Sequence, residues 1–344
     1  MNIAIFFPPA LGDALLCVPL VKELKRKSYT VTGVFSSSPS QQLFLENSLL
    51  NGSILLDSKR KQLFYSIIYF RKFDSAFLNV FSSTRANLFL SFFIAKKTKS
   101  NFISQNLHTY FSKRIDFVKP RLKVHDAVQN LNIAFQNFEN TNLKEEDFLL
   151  PVKSSVSSFS LPQAYIAVQI SAINNMFQYK NWPVQNWIVF LKAATKEFPH
   201  LTFVLLGESK EIQLAEKITN ENIRNVLSLV GKTEVCDLIP IIGNSRFFLG
   251  LDGGLMHLAV ALNKPTFTLW GPSDFELYGY HWLNSEKHKI IYRDMTCRPC
   301  NSWIAPNTSR VSKPEECPDY ACMTDLKPLV VLEQFSAFCK SRVK

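Results

Sequence analysis

Short apolar runs alternate with stretches in which apolar residues recur every three or four positions, and the alternation occurs twice along the chain. In the first half, residues 2–7, 30–35, 53–57 and 74–80 are rich in branched and aromatic side chains and predict strands. Residues 14–27, 85–95 and 124–138 carry helical periodicity, the last with Val124, Val128, Leu131 and Phe135 on one face. A turn is expected at 8–13. The pattern restarts with strands at 164–170, 201–206, 226–229, 247–251 and 265–270, and with helices at 184–197, 234–244 and 254–263. Apolar strands separated by helices are covered on both faces, which predicts an α/β fold with parallel sheets.

Between the halves, the Ser-rich stretch 151–162 is bounded by prolines and reads as a linker. The expected domains are therefore 1–155 and 156–344, with the C-terminal helix 326–344 free to pack back on the first. Two such units facing one another would form a cleft at the C-terminal ends of their strands, where open parallel sheets hold ligands.

Composition supports two globular domains. The 344 residues are 47% hydrophobic and 19% charged, which supplies ample core and excludes a disordered chain. The opening residues are largely apolar, but no basic segment precedes them and the helical pattern continues into Lys22, Lys25 and Arg26, so no secretory signal is expected. No apolar run approaches the roughly 18 residues of a membrane span. The longest, 87–95, is closed by Arg85 and by Lys96-Lys97, and reads as a buried helix. The formal charge of +11 suits an anionic partner: a membrane surface or a phosphorylated substrate. Nucleic acid would fit the charge too, but neither zinc-finger spacing nor an RNA-binding aromatic signature accompanies it.

Five places could carry chemistry. Gly12-Asp13 follows the first strand; Gly12 suits a tight turn, and Asp13 near a helix start is a carboxylate able to accept a proton, or simply a helix cap. Asp252-Gly253-Gly254-Leu255-Met256-His257 joins a buried strand to a helix, where exposed amides form an anion site suited to a pyrophosphate. There Asp252 orders the turn, and His257 either donates to a phosphate oxygen or is an ordinary satisfied helix histidine. Lys180-Asn181-Trp182-Pro183 offers a lysine for phosphate charge, and Glu208-Ser209 offers groups for a ribose or base at a strand end. Cys297, Cys300, Cys317 and Cys322 form a C-x2-C-x16-C-x4-C array whose spacing fits a structural zinc, leaving unpaired thiols and disulfides as the alternatives.

In this order the pieces resemble the heptosyltransferases of glycosyltransferase family 9. The resemblance rests on Leu11-Gly12-Asp13-Ala14, Lys180-Asn181-Trp182-Pro183, Val230-Gly231-Lys232-Thr233, the block from Asp252 to Ala261, Pro265-Thr266, Trp270-Gly271-Pro272-Ser273-Asp274 and the late cysteines. It runs from about residue 2 to 335. It implies a GT-B fold of two Rossmann-like, doubly wound parallel-sheet domains facing a central cleft, and an inverting transfer that requires no metal cofactor. By position, Asp13 would be the general base. Lys180, Asp252, Gly253, Gly254, Leu255 and His257 would hold the donor pyrophosphate, and Glu208 or Ser209 its nucleoside. The implied partners are an ADP-sugar, expected to be ADP-heptose, a lipid-linked saccharide of the lipopolysaccharide inner core, and the cytoplasmic face of the inner membrane, with no nucleic acid. Two departures lie on the donor side: Gly253 replaces the usual Thr or Ser, and Val168-Gln169-Ile170-Ser171 lacks the Pro-Gly that usually follows. They keep open a different nucleotide sugar, or a catalytically silent subunit on the same fold.

Overall fold

A computed structural model describes residues 1–102, 113–151, 157–172, 178–300 and 316–342. Two structural units follow one another, Met1–Lys153 and Ser154–Lys344. The first contains β1 (Asn2–Phe6), β2 (Thr30–Phe35), β3 (Gly52–Leu55), β4 (Phe73–Leu78), β5 (Ala95–Ser100) and β6 (Ile115–Phe117). The second contains β7 (Tyr165–Gln169), β8 (Thr202–Leu206), β9 (Val226–Ser228), β10 (Phe248–Leu251), β11 (Thr266–Trp270) and β12 (His288–Tyr292).

The first sheet runs β3-β2-β1-β4-β5-β6 and the second β12-β11-β10-β7-β8-β9, with every described pairing parallel. Read from opposite edges, the two orders are the same. Each unit starts at a central strand, builds outward to one edge, then crosses back and builds to the other. The reversal leaves a crevice beyond the strand ends between β1 and β4, and another between β7 and β10, where doubly wound sheets bind ligands. The strands are apolar on both faces because helices cover both: Ile3, Ala4, Ile5 and Phe6 are all buried, as are all five residues of β7. The expected α/β class with two Rossmann-like sheets is what the chain adopts.

Differences from the sequence expectation have local causes. The helix expected at 14–27 is two helices, Leu11–Leu15 and Val18–Arg26. Pro19 stands in the first turn of the second, where its missing N–H costs nothing but favours a fresh start. Strand β5 reads Ala-Lys-Lys-Thr-Lys-Ser and β6 is three residues long, so neither shows an apolar run. The helices Ser38–Glu46 and Lys59–Ile68 were hidden by weak amphipathic pattern. The segment expected to be a buried helix at 87–95 is buried on one side only: Leu88, Leu90 and Ile94 are in the core while Phe89 and Phe93 face solvent.

The last helix, Pro328–Lys340, places its inner face in the second unit's core. Phe335 sits among Phe190, Phe198, Phe203, Phe247 and Phe267 with ring centroids 5.1–6.1 Å away. Ser336 and Lys340 both bond Glu197 on the helix Val184–Glu197. Among the described residues no helix is long and apolar enough to cross a membrane.

Candidate functional site

In the first unit the chain leaves β1 and enters the helix Leu11–Leu15 through Ala10. Ala10, not Asp13, is the cap; Asp13 is the third helical residue and is half-buried in the first turn. The capping alternative is therefore removed. Behind this turn lies a buried polar network absent from the sequence expectation. Asn79, at the end of β4, donates through Nδ2 to Asn130 Oδ1 (3.1 Å), and Asn130 donates to the carbonyl of Leu16 (3.2 Å). Asn79 Oδ1 accepts from the amides of Phe81 and Ser82. These bonds tie the end of β4, through Asn130 on the helix Asp126–Ala134, to the residue that ends the short helix carrying Asp13. Cys17 donates to the carbonyl of Asp13 (3.7 Å). Burial, then the charges of Asp126 and Asp13, push its thiol well above the ordinary range, so it stays protonated.

In the second unit, β10 ends at Leu251, Asp252 follows it, Gly253 caps the helix, and Gly254–Ala261 is helical. Asp252 is buried and accepts from Lys180 Nζ at 2.6 Å. Burial alone would raise the Asp252 pKa, but the charge and hydrogen bond of Lys180, with smaller help from Ser273 and His257, outweigh it and hold the carboxyl below its usual range. Ser273 is fully buried and biases Asp252 without a hydrogen bond of ordinary geometry.

Lys180 is held in place by its own motif. Asn181 Oδ1 accepts from the Ala172 amide (2.9 Å) and the Ser171 hydroxyl (3.3 Å), fastening the loop to the end of β7. Trp182 is buried, packs edge-on against Trp187, and donates Nε1–H to the Leu326 carbonyl at 2.8 Å. Pro183 then starts the helix Val184–Glu197 as its N-cap.

His257 lies in the second turn of its helix and is buried, with Nδ1 2.7 Å from the Tyr280 hydroxyl. Burial pushes its pKa down to about 4; Asp252 opposes the shift and Lys180 adds to it. At neutral pH the ring is uncharged, so it offers a hydrogen bond and no positive charge. Leu255 is half-buried in the first turn.

Glu208 and Ser209, expected to contact a nucleoside, are both exposed, and Glu208 pairs with Lys210 at 2.8 Å. The buried carboxylate is Glu211, whose Oε2 accepts from the Glu208 amide at 2.7 Å. A Cβ at Gly207 would stand 2.1 Å from that oxygen, so the glycine is what admits Glu211 to the turn. Gly231 accompanies it at φ +72°, donating to the Gly207 carbonyl at 2.9 Å.

Gln169 stands at the end of β7, beside the Asp252–Gly253 turn, and its position explains the glycine at 253. The side chain is buried, its Oε1 has no hydrogen-bond partner, and a Cβ on Gly253 would lie 3.0 Å from Nε2 and 3.1 Å from Oε1. The carboxamide thus occupies the space that a Thr or Ser side chain at 253 would need. No periodicity signals such a residue; only the pairing of β7 with β10 brings it to the turn.

The four late cysteines are free thiols. Cys300 and Cys322 are pushed up to about 11, chiefly by burial, with the other cysteines close enough to add to the shift. The Cys300 amide donates to the Pro272 carbonyl at 3.0 Å, so Cys300 packs on the Gly271-Pro272 turn. Among the described residues no three His, Cys, Asp or Glu side chains are gathered closely enough to hold a metal ion.

Two doubly wound sheets, one with a buried aspartate paired to a half-buried lysine and a neutral histidine at a helix N-terminus beside its switch point, define a Rossmann-type ligand-binding chain of the kind glycosyltransferases use. The sequence profile of glycosyltransferase family 9 (heptosyltransferase) matches residues 73–308, and the chain belongs to that family. It is accordingly a glycosyltransferase. Lipooligosaccharide heptosyltransferase 2 of Campylobacter jejuni is 24% identical over 360 aligned positions, covering 99% of both chains. The Haemophilus influenzae enzyme of the same name is 34% identical over 98 residues, 27% of this chain and 28% of that one. Among solved structures, E. coli ADP-heptose lps heptosyltransferase II superposes with a TM-score of 0.74 at 17% identity over 99% of both chains. E. coli heptosyltransferase WaaC with ADP-2-deoxy-2-fluoro heptose gives 0.58 at 16% identity, over 80% of this chain and 90% of that one. At these identities the two structures speak for the fold.

Proposed function

We propose that the enzyme transfers a heptose from an ADP-linked donor to an inner-core saccharide of lipopolysaccharide or lipooligosaccharide, with inversion and without a metal cofactor. The observation that carries this reading is the Lys180–Asp252–His257 cluster at the N-terminus of the helix Gly254–Ala261. The full-length likeness to a lipooligosaccharide heptosyltransferase supports the substrate class.

In the proposed reaction an acceptor hydroxyl oxygen attacks the anomeric carbon, its proton passes to Asp13, and the bond from that carbon to the β-phosphate oxygen breaks. The departing diphosphate gains negative charge, which fixed amides and a cation stabilise where water is excluded. Because His257 is neutral, the cationic part of this work falls to Lys180, and His257 contributes a hydrogen bond oriented by Tyr280. Asp252 holds the lysine and the turn. The exposed Glu208 and Ser209 remain the candidates for the nucleoside.

A panel of nucleotide sugars, followed by release of nucleoside diphosphate, tests the reading. Turnover is expected with ADP-heptose and to persist in EDTA. Asp13→Asn should lower kcat by roughly 100- to 10,000-fold while ADP binding is unchanged. A chain that binds no nucleotide sugar would be the silent subunit instead. The lipid-linked acceptor would place the enzyme at the cytoplasmic face of the inner membrane. The cysteine spacing keeps a structural zinc as part of the proposal, and elemental analysis decides it: one equivalent of metal supports the site and none removes it.

A further inference from the structure

The helix Lys59–Ile68 buries no residue completely. Its inner side rests on the sheet through Tyr65 and Tyr69, the latter stacked on Phe73 at 5.7 Å. Its outer side should be polar in a helix that faces only water. Instead Leu63 is 67% exposed, Phe64 56%, Ile67 70% and Phe70, just beyond the helix end, 60%. Residues 63, 67 and 70 lie on one stripe of a helical turn and 64 flanks it. The neighbouring helix Arg85–Ile94 packs beside it and adds Phe89 and Phe93, exposed and in contact at 5.0 Å. The result is an apolar ridge of six large exposed side chains on two adjacent helices, more than isolated surface residues explain.

The ridge has a collar of one sign. Between residues 57 and 102 there are nine Lys or Arg and two Asp. Both acids are engaged, Asp57 by Lys61 and Asp74 by Lys96. Lys59 and Arg60 stand at one end of the apolar stripe and Arg71 and Lys72 at the other, with Arg85 at the start of the second helix and Lys97 on β5, which follows it. All are exposed. None has an acidic partner among the described residues.

We propose that this face is a docking surface for an anionic phospholipid membrane, with the Phe and Leu/Ile side chains entering the headgroup–acyl boundary and the basic collar meeting lipid phosphates. An aromatic and aliphatic ridge flanked by Lys and Arg, lying along two short helices, is the arrangement that binds in the plane of an interface. A polyanionic protein or saccharide would satisfy the collar, but gives no reason for six exposed apolar residues. The proposal deepens the functional reading above and rests on it for its purpose, because a lipid-linked acceptor must be met at a membrane.

The test is vesicle flotation of the full chain with phosphatidylglycerol–phosphatidylethanolamine vesicles against phosphatidylcholine vesicles. Wild type should float with the anionic vesicles, and binding should weaken as salt is raised. A triple Leu63→Ser, Phe64→Ser, Ile67→Ser variant and a triple Lys59→Glu, Arg60→Glu, Lys72→Glu variant should each lose at least about tenfold in partitioning. Both sets are exposed, so unfolding midpoints should stay at the wild-type value. Transfer to a water-soluble, deacylated acceptor should also be unchanged. Wild type that ignores both vesicle types, or a serine variant that floats as well as wild type, overturns the proposal; the former assigns the face to a protein partner. Absence of transfer to the soluble acceptor by every chain overturns the functional reading and leaves the flotation result standing.

Discussion

Adding a side chain at position 253 means displacing Gln169. The space that a hydroxyl-bearing residue would fill is taken by a carboxamide 3.0 Å from the Cβ it would need. Gly253→Ser should therefore lower the unfolding midpoint in urea, by an overpacking cost of about 1–3 kcal/mol. Combining it with Gln169→Ala should recover most of that loss, since the small residue vacates the same space. Lys180 makes a sharper residue-scale prediction. Its partner Asp252 has a side chain only 7% exposed, so Lys180→Ala leaves a buried carboxylate unpaired. The expected destabilisation is about 3–5 kcal/mol, measured by urea unfolding, together with loss of ADP binding in a titration. Lys180→Ala with Asp252→Ala should recover stability and not ADP affinity, which separates the lysine's two roles.

At the scale of elements, the helix Pro328–Lys340 is held chiefly by one side chain. Phe335 contacts five other phenylalanines drawn from two strands, a helix and the segments that follow the helix and precede β10, and Phe335→Ala should cost the second unit about 3–5 kcal/mol in urea unfolding. The strands that carry the site were readable from sequence because burial on both faces leaves an uninterrupted apolar run, as in Phe247 to Leu251. Strand β5 was unreadable because its burial does not alternate: Lys96 and Lys97 are both exposed, and the buried positions after them are the small polar Thr98 and Ser100, satisfied by Ser91 and Ser83. The candidate site divides the same way. Asp13, Lys180, Asp252 and His257 are named by local motif. Gln169, Tyr280 and the Asn79–Asn130 pair depend on which strands are neighbours, which no window of sequence reports. Glu208 shows the converse: the local pattern pointed to it, while the turn buries Glu211 three residues later.

For the whole molecule, acid should be the weak side. His257 titrates near pH 4 in the fold against an ordinary value of 6.5, so the unfolded chain takes up a proton that the folded one refuses. Its contribution is complete above about pH 6.5 and is lost as pH falls to about 4; the 2.5-unit difference corresponds to on the order of 3 kcal/mol. Asp252, depressed in the fold, acts in the same direction, its contribution disappearing as pH falls through its folded pKa. Urea unfolding midpoints measured from pH 7.5 to 4 should decline, and His257→Gln should flatten that decline between 6.5 and 4. Phe335 also bears on how the chain is made. Every residue of the first sheet precedes the linker, so that unit can close while the remainder is still being synthesised. The second unit cannot: Phe190, Phe203, Phe247 and Phe267 all await a ring that emerges after them. Until translation reaches Phe335, those rings lack the side chain that packs among them, which makes the interval before it the one in which a chaperone has most to protect.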